Sequence, residues 1–503
     1  MLIYKFLSLA LICLLQLTSL ADVKKEKKLY YFNGFKKIEG LKISHGPGIY
    51  NQNIKLTIQI PGISDYSVVT SNAKGDVLRG KSFTISETCV LRISYDDTTG
   101  VKRNYIGNYI VNENHDLPIV SLAVDAHDFF PPTGIYEGHK ALVDSVSTRI
   151  GRAWEKQPIT GFAQFFFNGE MVDELELDIK TYGGMTLGWK EKSIQLSARK
   201  ELHGKSKIKV KLFENLPFRE FQHVVLRTSG NDQNKTRIKD LSISQVAEDI
   251  HVNTKGGRQV VLYINGQYWG IHNLREKVNV DYFKYRYDWK KGGFSEIQGS
   301  GFGYPVYKKL INYVRKHSGD NDFKQRIADS IDIENFYNFN IIQTFISNVD
   351  YRGNIRFFRP NGGKWKWVLY DTDLGCNKQF LKRNFIRDRT FPVHEYWYNP
   401  SYAYTLLNNM LKNQDLKKQF INQYCFLMAT HIVAENFNSK LDQNTAKIDS
   451  ELDKHFKRRG RLYSENRNIR EKEIAYLKSY FDQRSASAFK HLSETFSLGS
   501  PVP

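Results

Sequence analysis

The stretch Asn348-Val349-Asp350-Tyr351-Arg352-Gly353-Asn354-Ile355-Arg356-Phe357-Phe358-Arg359-Pro360-Asn361-Gly362-Gly363-Lys364-Trp365-Lys366-Trp367-Val368-Leu369-Tyr370-Asp371-Thr372-Asp373 decides how the chain is read. Segments 355–359 and 364–370 are rich in aromatic and branched side chains, and Pro360-Asn361-Gly362-Gly363 is turn material, so the stretch predicts a β-hairpin. Paired positions of an antiparallel hairpin share one index sum. A turn at Asn361 or Gly362 sets it at about 723, which is also the sum for Asp350 and Asp373. Asp350 is therefore expected opposite Asp373, with Asp371 beside them at one end of the sheet. Cross-strand neighbours lie ~5 Å apart, so the like charges raise each other's pKa unless a cation lies between them. Oxygen ligands of this kind suit Mg²⁺ or Mn²⁺, and Asn354 adds a neutral oxygen where the first strand begins. Taken singly, each acidic pair is also ordinary turn or cap material; their convergence on one hairpin points to chemistry.

Working outward, Phe336, Phe339, Ile342 and Phe345-Ile346 recur at spacings of three and four, the buried face of a helix that ends at Asn348 and delivers Asp350. Helical text begins near Val306 and resumes at 404–411, 416–434 and 469–496. Upstream the chain reads as strands: 117–122, 161–168, 175–180, 192–196 and 224–227. Segments 259–264 and 267–273 form a hairpin around Asn265-Gly266 that ends on Arg275-Glu276, which order a pocket or form a surface ion pair. Gly183-Gly184 precedes Lys192 at a strand start, a plausible phosphate cradle because bare backbone amides approach an anion and an ammonium neutralises it. The plain alternative for Lys192 is an exposed strand lysine. Asp232, after the strand that ends at Arg227, is either a site residue or a turn former.

The formal charge of +20 favours anionic partners: acidic proteins, phosphorylated compounds or glycan surfaces. No helix-turn-helix, zinc finger or aromatic nucleic-acid platform accompanies it, so nucleic acid is not expected. Residues 1–21 read as a leader: Lys5 near the start, an apolar run over 6–17, and Ser19-Leu20-Ala21 before the cleavage point. The run is too short for a comfortable membrane span, no later stretch is long enough, and secretion is expected. Segment 22–41 is a basic linker. Cys89, Cys376 and Cys425, which remain after cleavage, form neither a disulfide framework nor a zinc template.

Residues 42–113 read as a small β-sandwich, with strict alternation over 54–60 and a second strand over 90–95. Ser44-His45-Gly46-Pro47-Gly48-Ile49-Tyr50, the 54–60 strand and Thr88-Cys89-Val90-Leu91-Arg92 resemble the chitobiase and β-hexosaminidase C-terminal-like β-domain, which implies an accessory module.

From residue 117 to 495 the order of motifs resembles the CotH (spore coat protein H) family of atypical secreted protein kinases. The resemblance is carried by Leu117-Pro118-Ile119-Val120-Ser121-Leu122, Gly134-Ile135-Tyr136, Lys192-Ser193, Val225-Leu226-Arg227 with Asp232, and Leu262-Tyr263-Ile264-Asn265-Gly266-Gln267-Tyr268-Trp269-Gly270. Asn273-Leu274-Arg275-Glu276, Asp350-Tyr351-Arg352-Gly353-Asn354 and Trp365-Lys366-Trp367-Val368-Leu369-Tyr370-Asp371-Thr372-Asp373 complete it. It implies an α+β chain in which the sandwich precedes a two-lobed kinase-like domain, β-rich and then helical. It also implies ATP with Mg²⁺ or Mn²⁺, and transfer of the γ-phosphoryl group to Ser or Thr of a protein such as a cell-surface or coat protein. By resemblance, Asp350 is the catalytic aspartate, Asp373 the essential metal ligand, and Asn354 and Asp371 supporting ligands. Lys192 with Gly183 and Gly184, and then Arg227 and Glu276, are nucleotide-pocket residues. Two other classes stay open: a catalytically silent surface- or glycan-binding protein, and a metal-independent glycoside hydrolase using Asp350 and Asp373 as its carboxyl pair.

Overall fold

The computed structural model describes residues 41–60, 62–63, 66–72, 81–130, 157–287, 294–298, 304–350, 354–391, 401–459 and 466–498. The leader, the basic linker except Leu41, Gly134-Ile135-Tyr136 and Tyr351-Arg352-Gly353 lie outside the described residues.

The expected α+β class is what is found. At the N-terminal end, β1 (Lys42–Ile43), β3 (Ile54–Gln59) and β5 (Ser82–Ile85) form one sheet, and β2 (Gly48–Tyr50), β4 (Ser67–Asn72), β6 (Cys89–Asp96) and β7 (Lys102–Val111) form another. Alternation works as predicted in β3: Ile54, Leu56 and Ile58 are buried while Lys55 and Gln59 are exposed. Val90 and Ile106 pack on Ala123 and Phe162, and Arg92 Nη2 donates to the Val124 carbonyl (3.2 Å) and to Asn265 Oδ1 (2.9 Å). These contacts fasten the two sheets to the body that follows.

Among the described residues, seven strands then close into a barrel in the order β10-β11-β12-β14-β13-β8-β9. They are β8 (Ile119–Val124), β9 (Ile159–Phe167), β10 (Glu170–Tyr182), β11 (Ser193–Ser197), β12 (His223–Arg227), β13 (Gly257–Ile264) and β14 (Gln267–Glu276). Neighbours are antiparallel except β8 and β13. Asn265 and Gly266, both at positive φ (50° and 76°), make the tight turn that the sequence foretells. The β8 and β13 runs are apolar without a break because both faces are covered. Val120, Leu122, Val260, Leu262 and Ile264 fill the barrel, while Ile119, Val261 and Tyr263 face a helical core. Barrel closure was not anticipated.

That helical core gathers α1 (Lys239–Asp249), α2 (Pro305–His317), α3 (Ile333–Phe345), α4 (Gln414–Thr430), α5 (Ala434–Ile448), α6 (Leu452–Arg459) and α7 (Arg467–Phe496). The segment read as one helix over 416–434 ends at Thr430, and α5 and α6 were not foreseen. α3 is buried on every side from Asn335 to Phe345, which explains why its apolar face is less distinct than a surface helix's. Among the described residues no helix is long and apolar enough to cross a membrane, and Cys89, Cys376 and Cys425 are free thiols.

The decisive hairpin exists as β16 (Arg356–Pro360) and β17 (Lys366–Val368), with β15 (Phe294–Gln298) added at the edge. Its register corrects the expectation. Phe357 faces Trp367, an index sum one higher than predicted, and the ladder stops at Arg356 and Val368. Asp350 and Asp373 are therefore not cross-strand partners. The chain leaves the sheet before Asp371, whose φ of 55° turns it in the left-handed region that aspartate tolerates.

Candidate active site

Arg227, the last residue of β12, reaches three carboxylates. Its Nη1 lies 3.2 Å from Asp240 Oδ2, its Nη2 lies 3.2 Å from Asp373 Oδ2, and the same Nη2 also bonds Asp371 Oδ1. Alternation sets this up: Val224 and Leu226 point into the barrel, leaving Arg227 on the outer face beside the 371–373 turn.

α1 clamps that turn from below. Asp240 Oδ1 accepts from Thr372 N (3.0 Å) and Thr372 Oγ1 (3.1 Å), and Lys239 Nζ donates to the carbonyls of Asp373 (3.0 Å) and Gly375 (3.2 Å). The other Asp240 oxygen lies 3.2 Å from Arg275 Nη2 and 3.9 Å from Lys255 Nζ. Burial pushes this carboxyl up, but Lys255, Arg275 and Arg227 outweigh it and hold it far below the usual carboxylate range. Burial likewise brings Lys255 down to about 8 despite Asp240, and its ammonium stands 4.5 Å over the Tyr370 ring.

Asp373 is 3% exposed. Its Oδ2 accepts from Asn231 N (2.7 Å), while Oδ1 is buried with no hydrogen-bond partner. Burial, followed by the Asp371 carboxylate, pushes this carboxyl up to about 8 against the pull of Arg227. Gly230 makes the close approach possible: at φ +53°, a Cβ there would stand 2.1 Å from Asp373 Oδ2. Asp350 is half-buried, its amide bonded to Asn348 Oδ1 (3.1 Å) and its Oδ2 accepting from Asn354 Nδ2 (2.9 Å). Burial and then Asp371 push it up to about 6. Asp371 is thus the residue that couples Asp350 to Asp373.

Gly183-Gly184 ends β10 at the edge of this site, because the neighbouring Tyr182 hydroxyl lies 3.1 Å from that of Tyr370. Gly183 has φ +143°, and a Cβ on it would meet Thr186 Oγ1 at 2.3 Å. Lys192 is buried, not an exposed strand lysine, and its Nζ donates to the Trp189 carbonyl (2.7 Å) in the turn after the glycines. Glu276 accepts from Gly256 N (2.6 Å) and pairs with Arg286 (2.5 Å), so of Arg275-Glu276 it is Arg275 that reaches the acidic centre. Asp232 resolves as structural: it receives Thr236 N, Thr236 Oγ1 and Lys239 N at the start of α1.

Sequence reading missed Asp240, Lys239, Lys255 and Gly230, and left Arg275 open between a pocket and a surface ion pair. The available signals were Lys255 ahead of Gly256-Gly257 and Ser229-Gly230 directly after a strand.

Among the described residues no three His, Cys, Asp or Glu side chains converge as a metal-holding group. The orphaned buried Oδ1 of Asp373, with the hard oxygens of Asp371 and Asn354, nevertheless fits Mg²⁺, which takes one or two carboxylates and completes its shell with water and substrate phosphates. On the far flank of α1 a cavity of about 570 Å³ is lined by Leu241, Ser244, Glu248, Lys255 and Arg258.

Residues 179–488 match the model of a family described as CotH kinase protein. The chain belongs to the CotH kinase family. No curated protein matches it. The matched span runs from the last residues of β10 into α7 and contains Gly183, Gly184, Lys192, Arg227, Asp240, Lys255, Asp350, Asn354, Asp371 and Asp373, while the N-terminal sandwich precedes it. Membership makes this a kinase-like protein.

Proposed function

We propose that this CotH family member is a secreted protein kinase that moves the γ-phosphoryl group of ATP to a Ser or Thr hydroxyl of a protein, with Mg²⁺ or Mn²⁺ held by Asp373, Asp371 and Asn354. The observation that carries the reading is that Asp371 and Asp373 share the Arg227 guanidinium on one turn, and that burial with the Asp371 charge raises two carboxyls unequally, Asp350 to about 6 and Asp373 to about 8. Pairs of carboxyls driven apart in acidity commonly divide roles. Asp350, the more exposed and more acidic, accepts the proton of the acceptor hydroxyl as its oxygen bonds to the γ-phosphorus and ADP leaves with the bridging oxygen. Asp373, fixed by Asn231 N and hemmed in by Gly230, serves as a ligand. The metal, when bound, neutralises phosphate charge. Lys192, Arg227 and the Gly183-Gly184 turn approach the phosphates, and positioning with charge neutralisation supplies most of the acceleration.

In this reading the barrel is the nucleotide-side lobe and the helical core the second lobe, and the leader exports the chain to a cell-surface or coat-protein substrate. The net charge of +20 suits an acidic acceptor or an anionic glycan surface.

One observation favours a second reading, a catalytically silent binding protein: Arg227 already pairs with both Asp371 and Asp373. Labelled γ-phosphate separates the two. Metal-dependent transfer to a Ser-rich acceptor that disappears in Asp373→Ala and Asp350→Ala supports the kinase. No transfer together with no ATP binding in the wild type overturns it and moves the binding reading ahead.

A further inference from the structure

We propose that Arg227 is a resident counter-ion of the 371–373 turn, exchanging Asp371 and Asp373 for a phosphate when metal and nucleotide enter while staying anchored on Asp240; the idea rests on the kinase reading. The two halves of the guanidinium do different work. Nη1 faces Asp240 alone (3.2 Å), whereas Nη2 is shared between Asp371 and Asp373. Asp240 does not move easily: it is buried, its Oδ1 is committed to Thr372, and its Oδ2 is also drawn by Arg275 and Lys255. The Nη2 end can therefore leave one pair of acceptors for another without freeing the side chain.

Charge balance gives the exchange its direction. Counted in their ionised forms, Asp240, Asp371 and Asp373 face Arg227, Arg275 and Lys255, three against three. A divalent cation added alone to Asp371 and Asp373 meets a guanidinium already seated there, and like charges repel strongly at such range in a buried setting. A cation that arrives with a polyphosphate brings the anion onto which Arg227 can turn, and planar guanidinium suits phosphate oxygens. The side chain is 12% exposed at the end of β12, so it is within reach of an incoming anion. Gly230, with no room for a Cβ, keeps the floor of the site thin where this exchange takes place.

The consequence is a pair of effects with opposite signs. Removing Arg227 relieves a competitor for the metal and deletes a contact for the nucleotide. The test is Mn²⁺ binding by electron paramagnetic resonance, with and without a non-hydrolysable ATP analogue, on full-length wild type, Arg227→Gln and Arg227→Lys. Expected in Arg227→Gln is Mn²⁺ binding alone that is about tenfold tighter and analogue binding that is about tenfold weaker. Arg227→Lys keeps one charge but not the two-armed reach, so its values fall between; it carries the test if the glutamine variant does not fold. Loss of both affinities together in the variants makes Arg227 merely structural and overturns the exchange. Wild-type uptake of Mn²⁺ with the analogue, but an unchanged affinity for Mn²⁺ alone in both variants, also overturns it and leaves the kinase reading standing. Wild type that takes up neither Mn²⁺ nor the analogue removes the kinase reading, and the exchange with it.

Discussion

Glu191 and Asp373 are both carboxylates buried beyond ordinary solvent contact, at 1% and 3% exposure, yet their acidities lie far apart: Glu191 is held at about 2 and Asp373 is pushed up to about 8. Burial raises both. The difference lies in the cations each can call on. Glu191 meets three guanidinia, Arg237 (2.5 Å), Arg459 (3.1 Å) and Arg458 (3.4 Å), and both its oxygens are engaged. Asp373 shares Arg227 with two other carboxylates and keeps one oxygen bare. Around Glu191 the network is closed, and it ties α6 to the barrel; there His455 Nδ1 accepts from Ile271 N (3.1 Å), and Gly270 leaves room for the ring. Around Asp373 the network is incomplete and invites a ligand. A buried carboxylate supplied with ample cations holds a fold together, whereas one short of them is poised to bind.

The largest effect expected is on activity. Asp373→Ala should lower phosphoryl transfer by about a thousandfold or more, the range for losing a central electrostatic group, with little change in the urea midpoint. Glu191→Gln should do the reverse. It strands three guanidinia and should cost about 3–5 kcal/mol of stability, read as a lower urea midpoint, while folded molecules retain transfer. If Asp373→Ala unfolds the chain and Glu191→Gln leaves it stable, the contrast between the two networks is wrong. Gly230→Ala is intermediate. A Cβ at φ +53° and 2.1 Å from the Asp373 carboxylate should cost about 1–3 kcal/mol and shift Asp373, so both the midpoint and the transfer rate fall.

The same contrast predicts opposite pH slopes. Glu191 sits below its ordinary value of about 4.3, so its contribution is present above that pH and is lost as pH falls toward about 2. Asp373 sits above its ordinary value of about 3.9, so its contribution is present below that pH and is lost as pH rises toward about 8. Thermal melts from pH 4 to 9 should show a stability decline that Asp373→Asn flattens and Glu191→Gln leaves in place.

Much of this was legible in local pattern. The alternation of β3, the Asn265-Gly266 turn and the aromatic strands of the hairpin each follow from near-neighbour chemistry, and Asp350, Asn354, Asp371 and Asp373 stood out because they flank that hairpin. Barrel closure was not legible, since β8 pairs with β13 across more than a hundred residues and no local spacing encodes that. α1 was missed for a different reason. Lys239-Asp240-Leu241-Ser242-Ile243-Ser244 reads as a polar surface segment, but every one of these residues is buried, with the polar ones spent on the 371–373 turn, Arg275 and α5. Lys255 was hidden, and Arg275 could not be told from a surface ion pair, because a charge-rich sequence gives no sign of which charges fold inward. Extrapolating the hairpin register to Asp350 and Asp373 failed for a simple mechanical reason: the ladder stops at Arg356 and Val368, short of both carboxylates.

The smallest effect concerns Asp350 and sharpens the comparison from the other side. Its carboxyl is raised to about 6 by burial first and by Asp371 second, with Asn354 pulling the other way. A base must be ionised to take the acceptor proton, so the transfer rate should rise with pH through about 6 and level off above it. Asp371→Asn removes the like charge and leaves the burial. The acid limb should then move to lower pH by less than about one unit, the share left to the lesser cause, even though the plateau falls because a ligand is gone. Asn354→Ala removes the hydrogen bond that favours the ionised form and should move the limb to higher pH. Glu191→Gln, which alters the closed network and not the incomplete one, should leave the limb where it is. A limb that ignores Asp371 would mean that the two acidic stations do not sense each other, and that Asp350 and Asp373 act as separate groups, not as one site.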